Sequence, residues 1–207
     1  MKSNKEIRAF NFEVRAEENE DHGHFLTGRP IVYEEWTDLG WYDEMIAAGA
    51  LDEADLKDVR FLINHNTDMI PLARSRNNNK NSTMQLIPDF QGLTIRVDLD
   101  VENNAEAKSL YSAVQRGDIT GMSFMFTVDG DRWDELESDH PKRIIEKLGK
   151  IFELSAVTFP AYESTSISAR GLSDALENAR TSLENAKAEK RSIERQKKRI
   201  KILMEEF

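Results

Sequence analysis

The sequence predicts an α+β protein that is mostly β: a closed antiparallel β-barrel with flanking helices, followed by one long C-terminal helix. Many short stretches alternate apolar and polar residues or form short apolar runs, as strands do. Before residue 170 few segments have helical spacing, and no strand–helix–strand rhythm indicates a parallel sheet. After Gly171, glycine and proline are absent and alanine, glutamate, lysine and arginine dominate, which predicts a long helix.

The first half opens with a predicted hairpin. Residues 8–15 alternate apolar and polar positions, and residues 25–33 form a second strand that glycine and proline interrupt. Residues 41–51 predict a short helix that ends at Gly49. An apolar strand then ends at His65, where a rigid scaffold could present a general base to a cleft.

The second half contains a hairpin, an amphipathic helix and three further strands. The helix carries apolar residues at helical spacing and stops at Gly117. The strand that follows it holds Ser123. In chain order, these elements are predicted at residues 84–99, 103–116, 119–128, 144–148 and 151–159.

Charge divides the chain into two parts. Of the 28 basic and 38 acidic residues, residues 171–207 carry 9 basic and 7 acidic ones, a net charge of +2, which leaves a net charge of −12 on residues 1–170. We therefore predict a barrel domain at residues 1–170 and a helical tail at residues 171–207. The acidic first part argues against direct nucleic-acid binding, because phosphate binding requires a basic face.

Cysteine is absent, which excludes disulfides, thiolate metal sites and a cysteine nucleophile, and suits a reducing compartment. No stretch approaches the roughly 18 apolar residues of a membrane span, and the polar start does not resemble a signal peptide. His22-Gly23-His24 could bind a metal as a pair, but a turn is the better interpretation because no third ligand is near. We expect neither a membrane partner nor a metal or other cofactor.

Ser123 stands out as a lone hydroxyl at the head of the apolar run Gly121–Phe126. A serine is a nucleophile only when a base is brought to it, and His65 is the best-placed base, with Glu153 as a plausible orienting acid. Backbone N–H groups at Gly121 and Met122, or the region of Arg74, are the candidates for binding the oxyanion.

Each of these residues also has a purely structural interpretation. His65 could simply close a strand through a hydrogen bond, Glu153 could face solvent or a lysine, and Ser123 could be tolerated at a strand start. Three other serines could also be considered as the nucleophile, but their flanking residues are not comparable to those of Ser123, and we select none of them: Ser155, Ser166 and Ser168.

Seven short motifs follow one another between residues 6 and 168. They are Arg8-Ala9-Phe10, Gly49-Ala50-Leu51, Asn64-His65-Asn66, Pro71-Leu72-Ala73-Arg74, Gly92-Leu93, Gly121-Met122-Ser123-Phe124 and Val157-Thr158-Phe159-Pro160-Ala161-Tyr162. In this order and spacing the chain resembles the tailed-phage prohead (capsid maturation) serine protease family. It departs from the family at Ala73, where glycine is often found.

The resemblance implies a fold like that of the herpesvirus assemblin protease, a compact β-barrel ringed by helices. It also implies cleavage of scaffold segments inside the immature capsid, with the major capsid or scaffold protein as substrate and self-association in the prohead. His65 matches the family's catalytic histidine and Ser123 its nucleophile, while Glu153 falls where the acidic third member is expected. The implied location is the assembling prohead in the host cytoplasm, for a phage- or prophage-encoded protein.

The tail carries a thin heptad seam of apolar residues that two lysines interrupt. A solvated helix that frays in isolation is one interpretation. The other is a helix that docks onto scaffold helices and is removed by self-cleavage within residues 164–173.

Two classes of function therefore remain. The first is a serine endopeptidase of capsid maturation, and the second is a non-catalytic scaffolding protein that keeps the protease fold. The intact His65 and Ser123 favour the first. A metal-dependent hydrolase built on His22 and His24 is a distant third, because a ligand set is lacking.

Overall fold

The computed structural model describes residues 5–10, 14–21, 23–158 and 169–205. The described elements, in chain order, are β1 Lys5–Phe10, β2 Val14–Asn19, β3 Gly23–Val32, β4 Thr37–Asp38, β5 Asp43–Ile46, β6 Asp58–Ile63, β7 Ala73–Arg76, β8 Met84–Asp89, β9 Gly92–Asp98, α1 Ala105–Arg116, β10 Gly121–Asp134, β11 Lys142–Val157 and α2 Ala169–Glu205.

The long strand β11 organises the larger sheet, which has seven strands. On one side β11 pairs antiparallel with β10, and β10 pairs with β1. On its other side it pairs with two strands in succession, β5 near its start and β6 near its end, and both run parallel to it. β4 and β7 extend the sheet beyond β5 and β6.

The smaller sheet has four antiparallel strands in the order β2-β3-β9-β8. Apolar side chains of both sheets and of α1 form one core, as Leu26 and Ile95 of the smaller sheet and Phe124 and Leu154 of the larger sheet illustrate. The two sheets therefore enclose a single hydrophobic interior, as in a two-layer domain.

The prediction of a closed antiparallel barrel is wrong. In the part of the chain that the structure describes, neither sheet closes on itself, and β5 and β6 are parallel to β11. Alternation of apolar and polar residues shows that a strand has one buried face, but it does not show which edges meet or in which direction neighbours run. The mostly β, α+β composition and the long C-terminal helix are confirmed.

Three element predictions also differ from the structure. Residues 41–51 contain strand β5 rather than a helix, and residues 8–15 divide between β1 and β2, which lie in different sheets. The two strands predicted at 144–148 and 151–159 belong largely to one continuous strand, β11, whose pairing with β10 shifts register several times. Pairing with a long partner joins segments that appear separate in the sequence.

Helix α1 ends where the sequence predicts. Asn104 caps its start by accepting the backbone N–H groups of Glu106 and Ala107, and Gly117 ends it in the left-handed conformation with φ 78°. Both devices satisfy backbone groups that a helix terminus leaves unpaired.

Helix α2 packs on the larger sheet through its first half. Ala179 and Leu183 join Tyr42 and Trp133 in a second apolar cluster, and Trp133 Nε1 donates to Ser182 Oγ at 3.0 Å. In the second half Ile200 and other apolar residues are exposed. None of the helices in the described ranges is long and apolar enough to cross a membrane.

Candidate active site

His65 lies just beyond the end of β6, in a turn that reverses the chain. Asn64 and His65 both adopt left-handed backbone conformations, with φ 50° and 56°. Such conformations are uncommon for residues other than glycine and occur where the surroundings enforce them, often at functional sites. The Asn64 N–H donates to the Ala156 carbonyl at 3.0 Å, which ties the turn to β11.

The turn directs the His65 ring to Glu153 on β11. Nδ1 of His65 lies 2.5 Å from Oε1 of Glu153, and the Glu153 side chain is only 3% exposed. Because an ionised carboxylate can only accept hydrogen bonds, Nδ1 carries the proton and Nε2 of a neutral ring is left with its lone pair. No residue within the described ranges is hydrogen-bonded to Nε2. This is the arrangement of a histidine that acts as a base through Nε2.

Ser155 is hydrogen-bonded to both residues of the pair. Its hydroxyl donates to Oε2 of Glu153 at 2.5 Å and accepts the backbone N–H of His65 at 3.1 Å, and the residue is fully buried. Both carboxylate oxygens of Glu153 are therefore engaged, one by His65 and one by Ser155. Ser155 lacks the flanking residues that mark Ser123 in the sequence, but its position two residues after Glu153 on a strand places both side chains on one face.

Ser123 lies on the neighbouring strand β10, directly opposite Ser155 in the ladder. Its side chain is fully buried, and its hydroxyl donates to the carbonyl of Arg8 on β1 at 2.7 Å. The structure thus brings His65 and Glu153 into contact and places Ser123 one strand further away, about 5 Å across the ladder. No hydrogen bond between Ser123 and His65 is described.

Alternation along β10 and β11 separates the polar site from the core. Phe124 and Leu154 point into the hydrophobic interior. Ser123, Glu153 and Ser155, which alternate with them, share the opposite face of the sheet. Of the apolar residues that flank Ser123, Met122, Phe124 and Phe126 therefore face the core, whereas Met125 shares the face of Ser123.

The oxyanion candidates lie at separate places. Met122 is buried in β10 between its partners Phe10 and Ala156, and Gly121 begins the same strand. Arg74 lies on β7, where its guanidinium makes two hydrogen bonds to Asp58, at 2.6 and 2.8 Å.

The Arg74 backbone N–H donates to Thr83 Oγ1 at 2.9 Å, so that donor is already in use. Hydrogen bonding from Arg74 lowers the pKa of the Asp58 carboxyl. This pairing occupies the Arg74 side chain at the surface of β7.

A groove of about 540 Å³ runs beside the His65 turn. Asn64 and Asn66, the neighbours of His65 in the chain, line it. Most of its other lining residues are apolar and come from β6, the following loop, α1 and the segment after α1: Ile63, Met69, Ala105, Leu110, Ala113 and Ile119. Concave, mostly apolar sites with a few polar groups are typical of ligand binding.

Potential metal ligands lie elsewhere. Asp38, Asp43 and His140 place ligand atoms within 4.8 Å of one another near the start of β11, whereas Glu153 lies near its end. His24 instead packs edge-on against Tyr111, and His22 lies outside the described residues, as do Ser166 and Ser168.

Comparison with known proteins adds an independent observation. A family model described as caudovirus prohead serine protease matches residues 10–179. The prohead protease of Enterobacteria phage HK97 is 29% identical over 140 residues, which cover 66% of this chain and 57% of that relative. The chain thus matches little more than half the length of this relative. No solved structure matches the chain.

Proposed function

Because the chain belongs to the caudovirus prohead serine protease family, we propose that it is a serine endopeptidase that cleaves scaffold segments of the capsid protein during prohead maturation. In this proposal Ser123 is the nucleophile, His65 the general base and Glu153 the acid that orients His65. The contact between His65 Nδ1 and Glu153 Oε1 carries the assignment, because it fixes the tautomer that a base needs.

Catalysis requires Ser123 to exchange its partner. Its hydroxyl would leave the Arg8 carbonyl and donate to Nε2 of His65, whose ring contacts Glu153 on the same face of the sheet as Ser123. His65 would take the proton as Oγ attacks the peptide carbonyl, and would return it to the leaving amine when the C–N bond breaks. Water then hydrolyses the acyl-enzyme, again with His65 as base.

Gly121, Met122 and Arg74 remain the candidates for stabilising the oxyanion. One backbone donor in such a position contributes about 2.7–4 kcal/mol to the transition state. Gly121 begins β10 opposite Val157, and Met122 lies between Phe10 of β1 and Ala156 of β11.

We place the substrate beside the His65 turn. The apolar groove that Asn64 and Asn66 border would accept an apolar side chain of the capsid protein close to the scissile bond. The protein would act inside the assembling prohead in the host cytoplasm, where self-association and a high local concentration order enzyme and substrate.

Co-expression with the capsid protein tests the proposal. The wild type, Ser123→Ala and the control Ser138→Ala, an exposed serine of the β10–β11 loop, are each produced with the capsid protein, and the products are measured by intact mass. We expect defined capsid fragments from the wild type and from Ser138→Ala, and none from Ser123→Ala. Cleavage that survives in Ser123→Ala would show that another residue is the nucleophile.

A scaffolding protein is the second candidate, and the second half of α2 favours it. Ile200 and Met204 are 57% and 75% exposed on this half, which leaves an apolar stripe available for another helix. The same segment could be the part that is removed by self-cleavage. Shells that form with uncleaved capsid protein in both the wild type and Ser123→Ala would support this alternative.

A further inference from the structure

We propose that Ser155 is a positioning residue that holds His65 and Glu153 in their catalytic arrangement. The inference rests on the proposed function and extends it to a residue that neither the family match nor the sequence motifs assign. Three observations carry it: the two hydrogen bonds of the Ser155 hydroxyl, its complete burial and the left-handed conformation of His65.

The hydroxyl of Ser155 acts on the backbone of His65. A left-handed conformation is unfavourable for histidine and persists only when contacts enforce it. The His65 N–H points to β11 and finds its acceptor in Ser155 Oγ at 3.1 Å. Without this acceptor the N–H would lose its partner, and the turn would lose a contact that directs the ring to Glu153.

The same hydroxyl acts on the carboxylate of Glu153. A hydroxyl has one proton and two lone pairs, so it can donate to Glu153 Oε2 and accept from His65 N–H at once. The bond to Oε2 sets the rotation of the carboxylate, which keeps Oε1 at 2.5 Å from Nδ1. One small side chain therefore fixes both partners of the pair, which is how supporting residues preorganise a site.

These bonds also distinguish Ser155 from Ser123. The proton of Ser155 is committed to Glu153, on the Nδ1 side of His65, whereas a nucleophile must face Nε2. Ser155 thus acts through other residues and does not touch the reacting atoms.

The test compares three variants of the full chain. Ser155→Ala removes the hydroxyl, and Ser155→Thr retains it. Ser75→Ala is the matched control, because Ser75 is a fully buried strand serine whose hydroxyl has no hydrogen-bond partner within the described residues. Thermal unfolding and backbone NMR spectra establish that each variant is folded.

Two readouts are then measured. The first is the proton resonance of His65 Nδ1–H, which a carboxylate partner moves downfield and protects from exchange. The second is cleavage, measured in two ways. One is the rate of capsid cleavage in proheads. The other is the dependence of rate on concentration for a peptide that spans a mapped cleavage site, which gives kcat and KM. We expect Ser155→Ala to lose the Nδ1–H resonance of His65. Its kcat should fall about 10- to 100-fold, with KM nearly unchanged. Ser155→Thr should restore both, and Ser75→Ala should resemble the wild type.

A wild-type resonance together with unchanged kcat in a folded Ser155→Ala would overturn the proposal. So would an equal loss in Ser75→Ala, because that would indicate a general effect of removing a buried hydroxyl. If the wild type cleaves nothing, the proposed protease function fails, and the NMR comparison still decides whether Ser155 positions His65.

Discussion

At the scale of single residues, the site depends on a short chain of contacts. His65 donates its backbone N–H to Ser155, Ser155 donates to Glu153, and Glu153 accepts from the ring of His65. Both the backbone N–H and the ring of His65 are hydrogen-bonded to residues of β11, so the turn and the side chain are held by the same strand. Such a closed arrangement reduces the reorganisation needed when the ring becomes charged during catalysis.

Glu153→Gln tests the orienting role of the acid. The amide has nearly the same shape, but it can donate to Nδ1 and so favours the tautomer with the proton on Nε2, which cannot act as a base. We expect capsid cleavage to fall about 10²- to 10⁴-fold while the thermal midpoint shifts little. Cleavage rates in proheads and thermal unfolding of the same preparations provide the measurement. Activity within twofold of the wild type would contradict the role.

At the scale of elements, the helix and hairpin whose ends depend on local chemistry lie where the sequence predicts them. Helix α1 has its cap at Asn104 and its stop at Gly117, and the β8–β9 hairpin turns between Asp89 and Gly92. Gly92 has φ 137°, and a Cβ there would lie 2.1 Å from the Ile31 carbonyl, so no other residue fits without a backbone shift.

Other elements could not be predicted because distant partners determine them. The sequence of residues 41–51 predicts a short helix that ends at Gly49, but Glu44 is buried in β5, where Arg8 and Arg143 donate hydrogen bonds to it. A buried carboxylate is acceptable only when arginines from remote strands meet it. The sequence suggests Glu153 as the acid that orients His65, but the two residues are 88 positions apart, so their contact depends on how distant strands pair.

Helix α2 contains both a packed and an exposed half, which gives a matched pair of variants. Leu183 is 7% exposed in the cluster with Tyr42 and Trp133, whereas Ile200 is 57% exposed. We expect Leu183→Ala to lower the free energy of unfolding by about 2–3 kcal/mol, and Ile200→Ala to change it by less than about 0.5 kcal/mol. Urea unfolding monitored by circular dichroism is the measurement. Equal effects would mean that the first half of α2 does not pack as described.

At the scale of the whole molecule, a buried ionic cluster joins parts that are far apart in the sequence. Arg8 Nη2 donates to Glu44 Oε2 at 2.7 Å, and Arg143 Nη1 donates to Glu6 Oε2 at 2.9 Å. Arg143 also reaches Asp131, which accepts a hydrogen bond from Ser182 of α2. The cluster therefore connects β1, β5, β10 and β11 with the C-terminal helix, and Arg8 is the residue whose carbonyl binds Ser123.

This cluster predicts acid sensitivity. Burial alone would raise the pKa of Glu44, but the charges and hydrogen bonds of Arg8 and Arg143 lower it below the ordinary value of 4.5. Since the pKa is lower in the folded state than in the unfolded state, the ionised carboxylate stabilises the fold above about pH 4.5. That stabilisation is lost as the pH falls through the folded pKa.

Glu44→Gln is the variant that tests this dependence. We expect it to lower the free energy of unfolding at pH 7 by about 3–5 kcal/mol, because it leaves two buried arginines with less compensating charge. Its stability should then fall less than that of the wild type below pH 4.5. Urea titrations between pH 3 and 7 provide the comparison, with the exposed Glu53→Gln as control. A variant with the same acid dependence as the wild type would contradict the assignment.

The most direct test of the central claim is to identify the reactive serine chemically. Diisopropyl fluorophosphate phosphorylates an activated serine with loss of fluoride, and peptide mapping by mass spectrometry locates the adduct. Proheads containing the wild type should carry the adduct on Ser123, and proheads containing His65→Ala should carry none, because the base that activates Ser123 is gone. An adduct on Ser155 or on any other serine, or capsid cleavage that continues without an adduct, would contradict the account.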